Sequence, residues 1–227
     1  MIANFTPGVS HFHSTIDGDW ELVGRTSYRV IIDHGNKIIH VTGQHSRAGA
    51  EWFDNLDMRT RDFVNDPDLH KRRKEAWENT DEQWFDGKPD IRVHAGFLRQ
   101  YKAIRNVLLD TCYQYEDYKI FVDGFSLGAG WTQIFMQDIL HRWPDRDIRY
   151  VGYAPPNPWR RLPEMYQRLL KQHCTFVVPY WDPVTWMRLL RFRRFGKEVR
   201  VGRPWRMVPK QHRPDQIIRG LIERGLS

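Results

Sequence analysis

Residues 119–134 read Lys-Ile-Phe-Val-Asp-Gly-Phe-Ser-Leu-Gly-Ala-Gly-Trp-Thr-Gln-Ile. A short apolar run ends in Gly124-Phe125-Ser126-Leu127-Gly128, and a helical pattern begins directly after it. A serine framed by glycines two residues before and two after, between strand and helix, predicts a sharp reversal of the chain. The serine must take a backbone conformation that most residues avoid. The framing positions must lack side chains, because strand and helix nearly touch there. Such a turn presents the Ser126 hydroxyl at the edge of a sheet. A serine hydroxyl is a weak nucleophile, so the motif carries chemistry only with a base nearby and an acid to orient that base.

The rest of the chain is of a size and composition to supply both. It has 227 residues, 41% of them hydrophobic, with ten tryptophans, and residues 1–227 are expected to form a single domain with a sizeable core. No apolar run reaches the length of about 20 residues that spans a bilayer. Met1–Gly8 lacks the basic-then-apolar pattern of a secretory leader. Cys112 and Cys174 are the only cysteines, which argues against a disulfide framework and for a cytoplasmic protein, with one bridge between them left open.

Charge is uneven. Residues 183–227 carry twelve Lys/Arg against three acids, a net of +9, while residues 1–182 carry −2. Arg188, Arg191, Arg193, Arg194, Lys197, Arg200, Arg203 and Arg206 alternate with Trp186, Phe192, Phe195 and Trp205. Such a surface attracts anionic lipid, nucleic acid or acidic substrates. No helix-turn-helix, zinc-finger or RNA-recognition signature accompanies it, so nucleic acid is not the expected partner. A solvated basic face is the first expectation, and peripheral contact with an anionic membrane the second. A charged stretch near residues 59–92, including His70-Lys71-Arg72-Arg73-Lys74-Glu75, is expected to be an irregular insertion.

Periodicity then gives the order of elements. Trp20–Val23, Tyr28–Asp33 and Lys37–Thr42 are expected strands, the last two joined by a hairpin at Gly35-Asn36. Phe97, Tyr101, Ile104, Leu108 and Cys112 recur at helical spacing. Lys119–Asp123, Ile148–Tyr153 and Thr175–Pro179 are expected strands. Leu127–Arg142, Leu162–Gln172 and Ile217–Ile222 are expected helices. Alternating strands and helices from residue 93 onward predict a three-layer αβα domain with a largely parallel central sheet.

Folds with this elbow place the acid and then the histidine after the serine. His141, at the far end of the helix leaving the elbow, would lie more than about 20 Å away at 1.5 Å per residue. His173 precedes a strand, on the edge opposite to the one where reactive groups gather. His212 lies in a loop, Pro209-Lys210-Gln211-His212-Arg213-Pro214, that can reach back. Among Asp138, Asp145, Asp147, Glu164, Asp182 and Glu198, only Asp182 directly follows an apolar strand. Ser126, His212 and Asp182 are therefore the expected nucleophile, base and orienting acid. The backbone N–H groups of Leu127, after the serine, and Gln44, at the junction Val41-Thr42-Gly43-Gln44, are the expected oxyanion donors. His11-Phe12-His13 is read as a surface pair on alternate strand positions, without the acidic or cysteine partners of a metal site. His94 is expected to brace packing.

Five stretches, spanning roughly residues 28–215, resemble the class 3 lipase family of α/β-hydrolases. Ile38–Gln44 resembles the strand ending in the oxyanion loop. Glu51–Asp57 resembles the Asp-Trp helix, Val93–Tyr101 the Val-His-x-Gly-Phe segment, Gly124–Gly128 the elbow, and Val178–Val184 the Asp-Pro-Val stretch with the acid. Phe125 stands where the family has His, Thr42 where it has Arg, and Gln44 where it has Thr or Ser. The resemblance implies an α/β-hydrolase fold and a serine carboxylester hydrolase acting on acyl lipids or related esters, with no metal or cofactor. It implies the same five site residues, with Ser46–Met58 in the position of a lid. The alternatives are an acyltransferase or thioesterase using the same serine, or a retained fold serving as a nucleic-acid- or membrane-binding module.

Overall fold

The computed structural model describes residues 9–16, 19–23, 26–44, 60–62, 91–180, 182, 184, 191–202 and 212–226. Ser46–Met58, open to reading as a lid or as ordinary core, most of the charged insertion, and Trp186, Arg188, Arg203, Trp205 and Arg206 lie outside them.

The elements run in the order α1 (Val9–Ile16), β1 (Glu21–Val23), β2 (Thr26–Asp33), β3 (Ile38–Gly43), β4 (Thr60–Asp62), β5 (Arg92–His94) and α2 (Ala95–Gln114). They continue with β6 (Lys119–Phe125), α3 (Gly128–Arg142), β7 (Ile148–Tyr153), β8 (Trp159–Arg161), α4 (Glu164–His173), β9 (Cys174–Pro179), β10 (Lys197–Val201) and α5 (Pro214–Ile222). Seven strands form one sheet in the order β1-β2-β3-β6-β7-β9-β10. From β3 to β10 all neighbours are parallel, and the β1-β2-β3 margin is antiparallel. A small antiparallel sheet, β4-β5-β8, stands apart.

The hairpin between β2 and β3 closes at residues 34–37, where the Asn36 amide N–H donates to Asp33 Oδ1 at 3.0 Å and Lys37 takes φ +52°. This is an Asx-type turn, in which a short acid substitutes for a backbone acceptor. α2 starts at His94, whose Nδ1 accepts the Gly96 N–H at 3.2 Å. His94, expected to brace packing, thus caps the helix as well. The Arg146 guanidinium stands just past the other end, donating to the carbonyls of Cys112 (3.0 Å), Tyr115 and Tyr118 (2.6 Å). It satisfies acceptors that a helix terminus leaves open.

α3 is buried from Gly128 through Leu140. That explains Asp138 within it: a carboxylate with no exposure must be paired. Its Oδ2 accepts from Tyr101 Oη (2.6 Å) and Arg105 Nε (2.8 Å), and its Oδ1 from Arg142 Nε (3.1 Å). Burial pushes the Asp138 carboxyl up, but Arg142, Arg105 and the Tyr101 hydrogen bond outweigh it and hold the group below the usual carboxylate range.

The sheet separates two apolar clusters. One joins α2, α3 and α4 to one face through Tyr101, Phe135, Trp131 and Tyr150. The other joins α1 and α5 to the opposite face through Phe12, Phe125, Tyr153, Ile217 and Leu221. Here the structure corrects the reading of His11-Phe12-His13. The segment is a helix, not a strand: Phe12 and Thr15, three positions apart, share its buried face. His11 is not a surface residue either. Burial lowers its pKa, Asp123 opposes that and His40 adds to it.

Within the basic run Arg191, Arg193 and Lys197 are exposed, as a solvated face requires, but Arg194 departs from that pattern. The Arg194 side chain is 6% exposed, paired with Glu198 at 2.7 Å and bonded to Asn157 Oδ1 at 2.7 Å. Arg200 shares Glu198 at 2.5 Å. β10, which the sequence did not suggest, carries Glu198 and Arg200, and β8, also unexpected, bridges through Trp159 to Arg193.

Candidate active site

β6 delivers the elbow. Ser126 takes φ +54°, the left-handed region that costs a residue with a Cβ of order 1 kcal/mol or more. Its N–H donates to the Tyr153 carbonyl of the neighbouring strand at 2.9 Å, which holds the turn at the C-terminal edge of the sheet. The framing glycines are required by contact. A Cβ on Gly124 would lie 2.7 Å from the Ala129 nitrogen, and one on Gly128 would lie 2.1 Å from the Gly43 oxygen.

His212 sits two residues before α5, whose buried Ile217 and Leu221 anchor it to the sheet. Its Nε2 lies 2.6 Å from Ser126 Oγ, and its Nδ1 lies 2.7 Å from Asp182 Oδ2. Asp182 follows the end of β9 and is fully buried. Its second oxygen, Oδ1, accepts the Val184 N–H at 2.9 Å. An ionised carboxylate only accepts, so Nδ1 carries the ring proton and Nε2 is left as the acceptor for the serine hydroxyl. Phe125 lies against the imidazole, ring centroids 5.5 Å apart and planes 21° from parallel.

Asp145 is exposed, and the other rival histidines and acids are engaged elsewhere, Asp147 with Arg149 at 3.3 Å. His141 meets Tyr166 Oη at 3.2 Å, and His173 meets the Ile148 carbonyl at 2.8 Å at the start of β9. Asp138 and Glu198 are paired with arginines as described, and Glu164 with Arg168 at 3.4 Å.

Leu127 follows the serine and precedes the first residue of α3, at the position expected of an oxyanion donor. Gln44 differs from expectation. Its backbone N–H donates to the Ser27 carbonyl at 3.2 Å. The antiparallel pairing of β2 with β3, which matches Tyr28 with Gly43, continues one residue further than the sequence suggested and occupies this donor. Gln44 is nonetheless beside the elbow, since its carbonyl would lie 2.5 Å from a Cβ on Gly128.

Two features near the serine go beyond the sequence reading. One is the stacking of Phe125 on His212, where the sequence recorded only an unusual residue. The other is Asp123, buried three residues before the serine. Its Oδ2 lies 2.9 Å from His40 Nε2, 3.3 Å from His11 Nε2 and 3.0 Å from Thr15 Oγ1. A carboxylate predicted inside a parallel strand was the available signal, since such strands are otherwise apolar. No group of three or more metal-binding side chains occurs among the described residues.

A parallel sheet with a serine on a left-handed turn between β6 and α3 defines the α/β-hydrolase fold. The family described as lipase (class 3) matches residues 39–191, and the chain belongs to that family. Solved structures agree on the fold. The chain is similar to native Rhizomucor miehei lipase in its propeptide complex, with a TM-score of 0.58 and 20% identity over 80% of this chain and 54% of that one. It is also similar to a triacylglycerol lipase from Penicillium expansum, with a TM-score of 0.57 and 18% identity over 83% of this chain and 69% of that one. A third is a triacylglycerol lipase whose catalytic centre is a serine protease triad, with a TM-score of 0.55 and 18% identity over 80% of this chain and 64% of that one. The chain thus spans about half the length of the Rhizomucor protein it matches. No match was found among curated proteins.

Proposed function

We propose that this chain is a serine carboxylester hydrolase acting on acyl-lipid or related esters through Ser126, His212 and Asp182. One observation carries the reading: the continuous chain of contacts from Ser126 Oγ to His212 Nε2 (2.6 Å) and from His212 Nδ1 to Asp182 Oδ2 (2.7 Å). Membership of the class 3 lipase family supports the same chemistry.

In the proposed cycle His212 Nε2 takes the Ser126 proton as Oγ attacks the acyl carbonyl. Asp182 keeps the imidazole in the correct tautomer and stabilises the imidazolium that forms. The Leu127 N–H donates to the developing oxyanion. Gln44 becomes the second donor when its N–H exchanges the Ser27 carbonyl for the oxyanion. His212 then protonates the departing alcohol, and water, deprotonated by the same imidazole, releases the acid from the acyl-enzyme. A cytoplasmic site of action belongs to this proposal and rests on Cys112 and Cys174, both buried and free.

The test is labelling with a serine-directed fluorophosphonate, followed by peptide mapping. Ser126 should carry the label, and His212→Ala should abolish it. Undiminished labelling of Ser126→Ala protein would refute the assignment. Hydrolysis of a panel of esters of increasing acyl length then measures the preference for lipid-like substrates. No hydrolysis of any of them by a chain that still labels at Ser126 would exclude the ester-hydrolase reading.

A further inference from the structure

We infer that Phe125 is a positioning residue for His212, and that α1 is the buttress behind it. This inference rests on the proposed triad and extends it to residues that touch neither substrate nor the reacting serine oxygen.

His212 stands on a loop residue ahead of α5. An imidazole held by one carboxylate can still swing about the bond it makes, and a base that wanders loses rate steeply. Phe125 restricts that swing. Its ring lies nearly parallel to the imidazole, 5.5 Å away and inclined by 21°. During the cycle His212 becomes a cation, and a positive charge over an aromatic face is attracted by the quadrupole of the ring. Phe125 therefore fixes the plane of the imidazole at the moment when Ser126 loses its proton.

The ring of Phe125 is itself held from behind. Phe12 of α1 is fully buried and meets Phe125 edge-on, with centroids 5.6 Å apart and planes at 83°. Phe12 also packs on Tyr153 at 4.6 Å. α1 is pinned by polar contacts as well as apolar ones: Thr15 Oγ1 lies 3.0 Å and His11 Nε2 lies 3.3 Å from Asp123 Oδ2, and His40 of β3 shares that oxygen at 2.9 Å. Asp123 is two positions before Phe125 on β6, so both project from the same face of the strand. One face of β6 thus clamps α1 through its acid and receives the pressure of α1 through its phenyl ring. The line Asp123, α1, Phe12, Phe125, His212 links an N-terminal helix to the base of the site.

Three variants test this: Phe125→Leu, which keeps an apolar group without a ring face; Phe125→His, which keeps a flat ring; and Phe12→Leu, one contact further out. Each is assayed for hydrolysis of a p-nitrophenyl ester, and the His212 ring protons are followed by NMR after assignment with His212→Gln. Phe125→Leu should lower kcat by roughly tenfold with KM held within about twofold, because the base is misplaced while the acyl site is untouched. Its His212 ring resonances should move downfield as the ring current is lost. Phe125→His should recover most of kcat, and Phe12→Leu should show a smaller change in the same direction. Unchanged kcat and unchanged His212 resonances in Phe125→Leu would overturn the inference. So would equal losses in Phe125→Leu and Phe125→His, which would reduce Phe125 to core volume. If the wild-type protein hydrolyses no ester, the proposed function falls, and the ring-current shift alone still decides whether Phe125 carries the imidazole.

Discussion

The carboxylate of Asp182 divides its two oxygens between two tasks, Oδ2 to His212 Nδ1 at 2.7 Å and Oδ1 to the Val184 N–H at 2.9 Å. The second contact holds the acid still without help from the histidine. The two tasks can be separated, because an amide retains an oxygen for Val184 but offers the histidine a different partner.

Asp182→Asn should therefore fold normally and fail chemically. Replacing the acid with an amide selects the wrong imidazole tautomer, and the loss in kcat should be of the order of 10³–10⁴-fold. Thermal melts of the two proteins should differ by only a few degrees. A variant that melts far lower would mean that the charge of Asp182 is structural.

Asp138 makes the opposite prediction. It has no exposure and holds Arg105, Arg142 and the Tyr101 hydroxyl, all remote from the serine chemistry. Asp138→Asn leaves Arg105 buried without its counter-charge, at a cost of about 3–5 kcal/mol. Because the carboxyl is held below its ordinary pKa in the folded protein, its charge contributes stability that is complete above the unfolded value of about 4 and is lost as pH falls further. Urea unfolding at several pH values should show a constant gap between wild type and variant at neutral pH that narrows in acid.

Gly128→Ala should damage fold and site together. Its methyl group would meet the Gly43 oxygen at 2.1 Å and the Gln44 oxygen at 2.5 Å, both backbone atoms that have no rotamer with which to yield. The expected loss is about 3 kcal/mol of unfolding free energy, read as a lower urea midpoint, with fluorophosphonate labelling of Ser126 impaired in step. Gly35→Ala is the control. It meets only Asp33 Oδ1, at 3.4 Å, and should shift stability by about 0.5 kcal/mol or less.

The two thiols should be silent in the native protein. Cys112 is buried, which pushes its thiol up to about 12, and burial raises Cys174 as well. A thiol-reactive chromogen should report no reaction in buffer and two thiols per chain in denaturant, without added reductant. Fewer than two would indicate a bridge.

The parts that local rules govern were legible in the sequence. The glycine frame and the left-handed serine follow from steric limits within five residues. α2 follows from apolar spacing. Asp182 and His212 come forward by elimination of rivals placed within helices or ahead of strands, and the structure brings Asp182 within hydrogen-bond reach of His212 and His212 within reach of Ser126. What escaped depended on partners distant in sequence. α1 reads as an alternating strand because Phe12 finds its cover far along the chain, among Phe125, Tyr153 and the residues of α5. Gln44 looked available because nothing local reveals that β2 pairs one residue further to Ser27. Arg142 could be matched to Asp138 at four residues' spacing, but Arg105 and Tyr101 arrive from another helix.

The closeness of Gly43 and Gln44 to Gly128 bears on how this protein can be altered. The loop opposite the serine and the first turn of α3 are a single seam rather than two neighbouring parts, with backbone oxygens on one side filling the space that a missing side chain leaves on the other. A loop transplanted from a relative to change substrate preference would bring its own backbone path against that glycine. The seam has to be exchanged as a unit, residues 42–44 along with 124–129, for a hybrid enzyme to keep its serine in place.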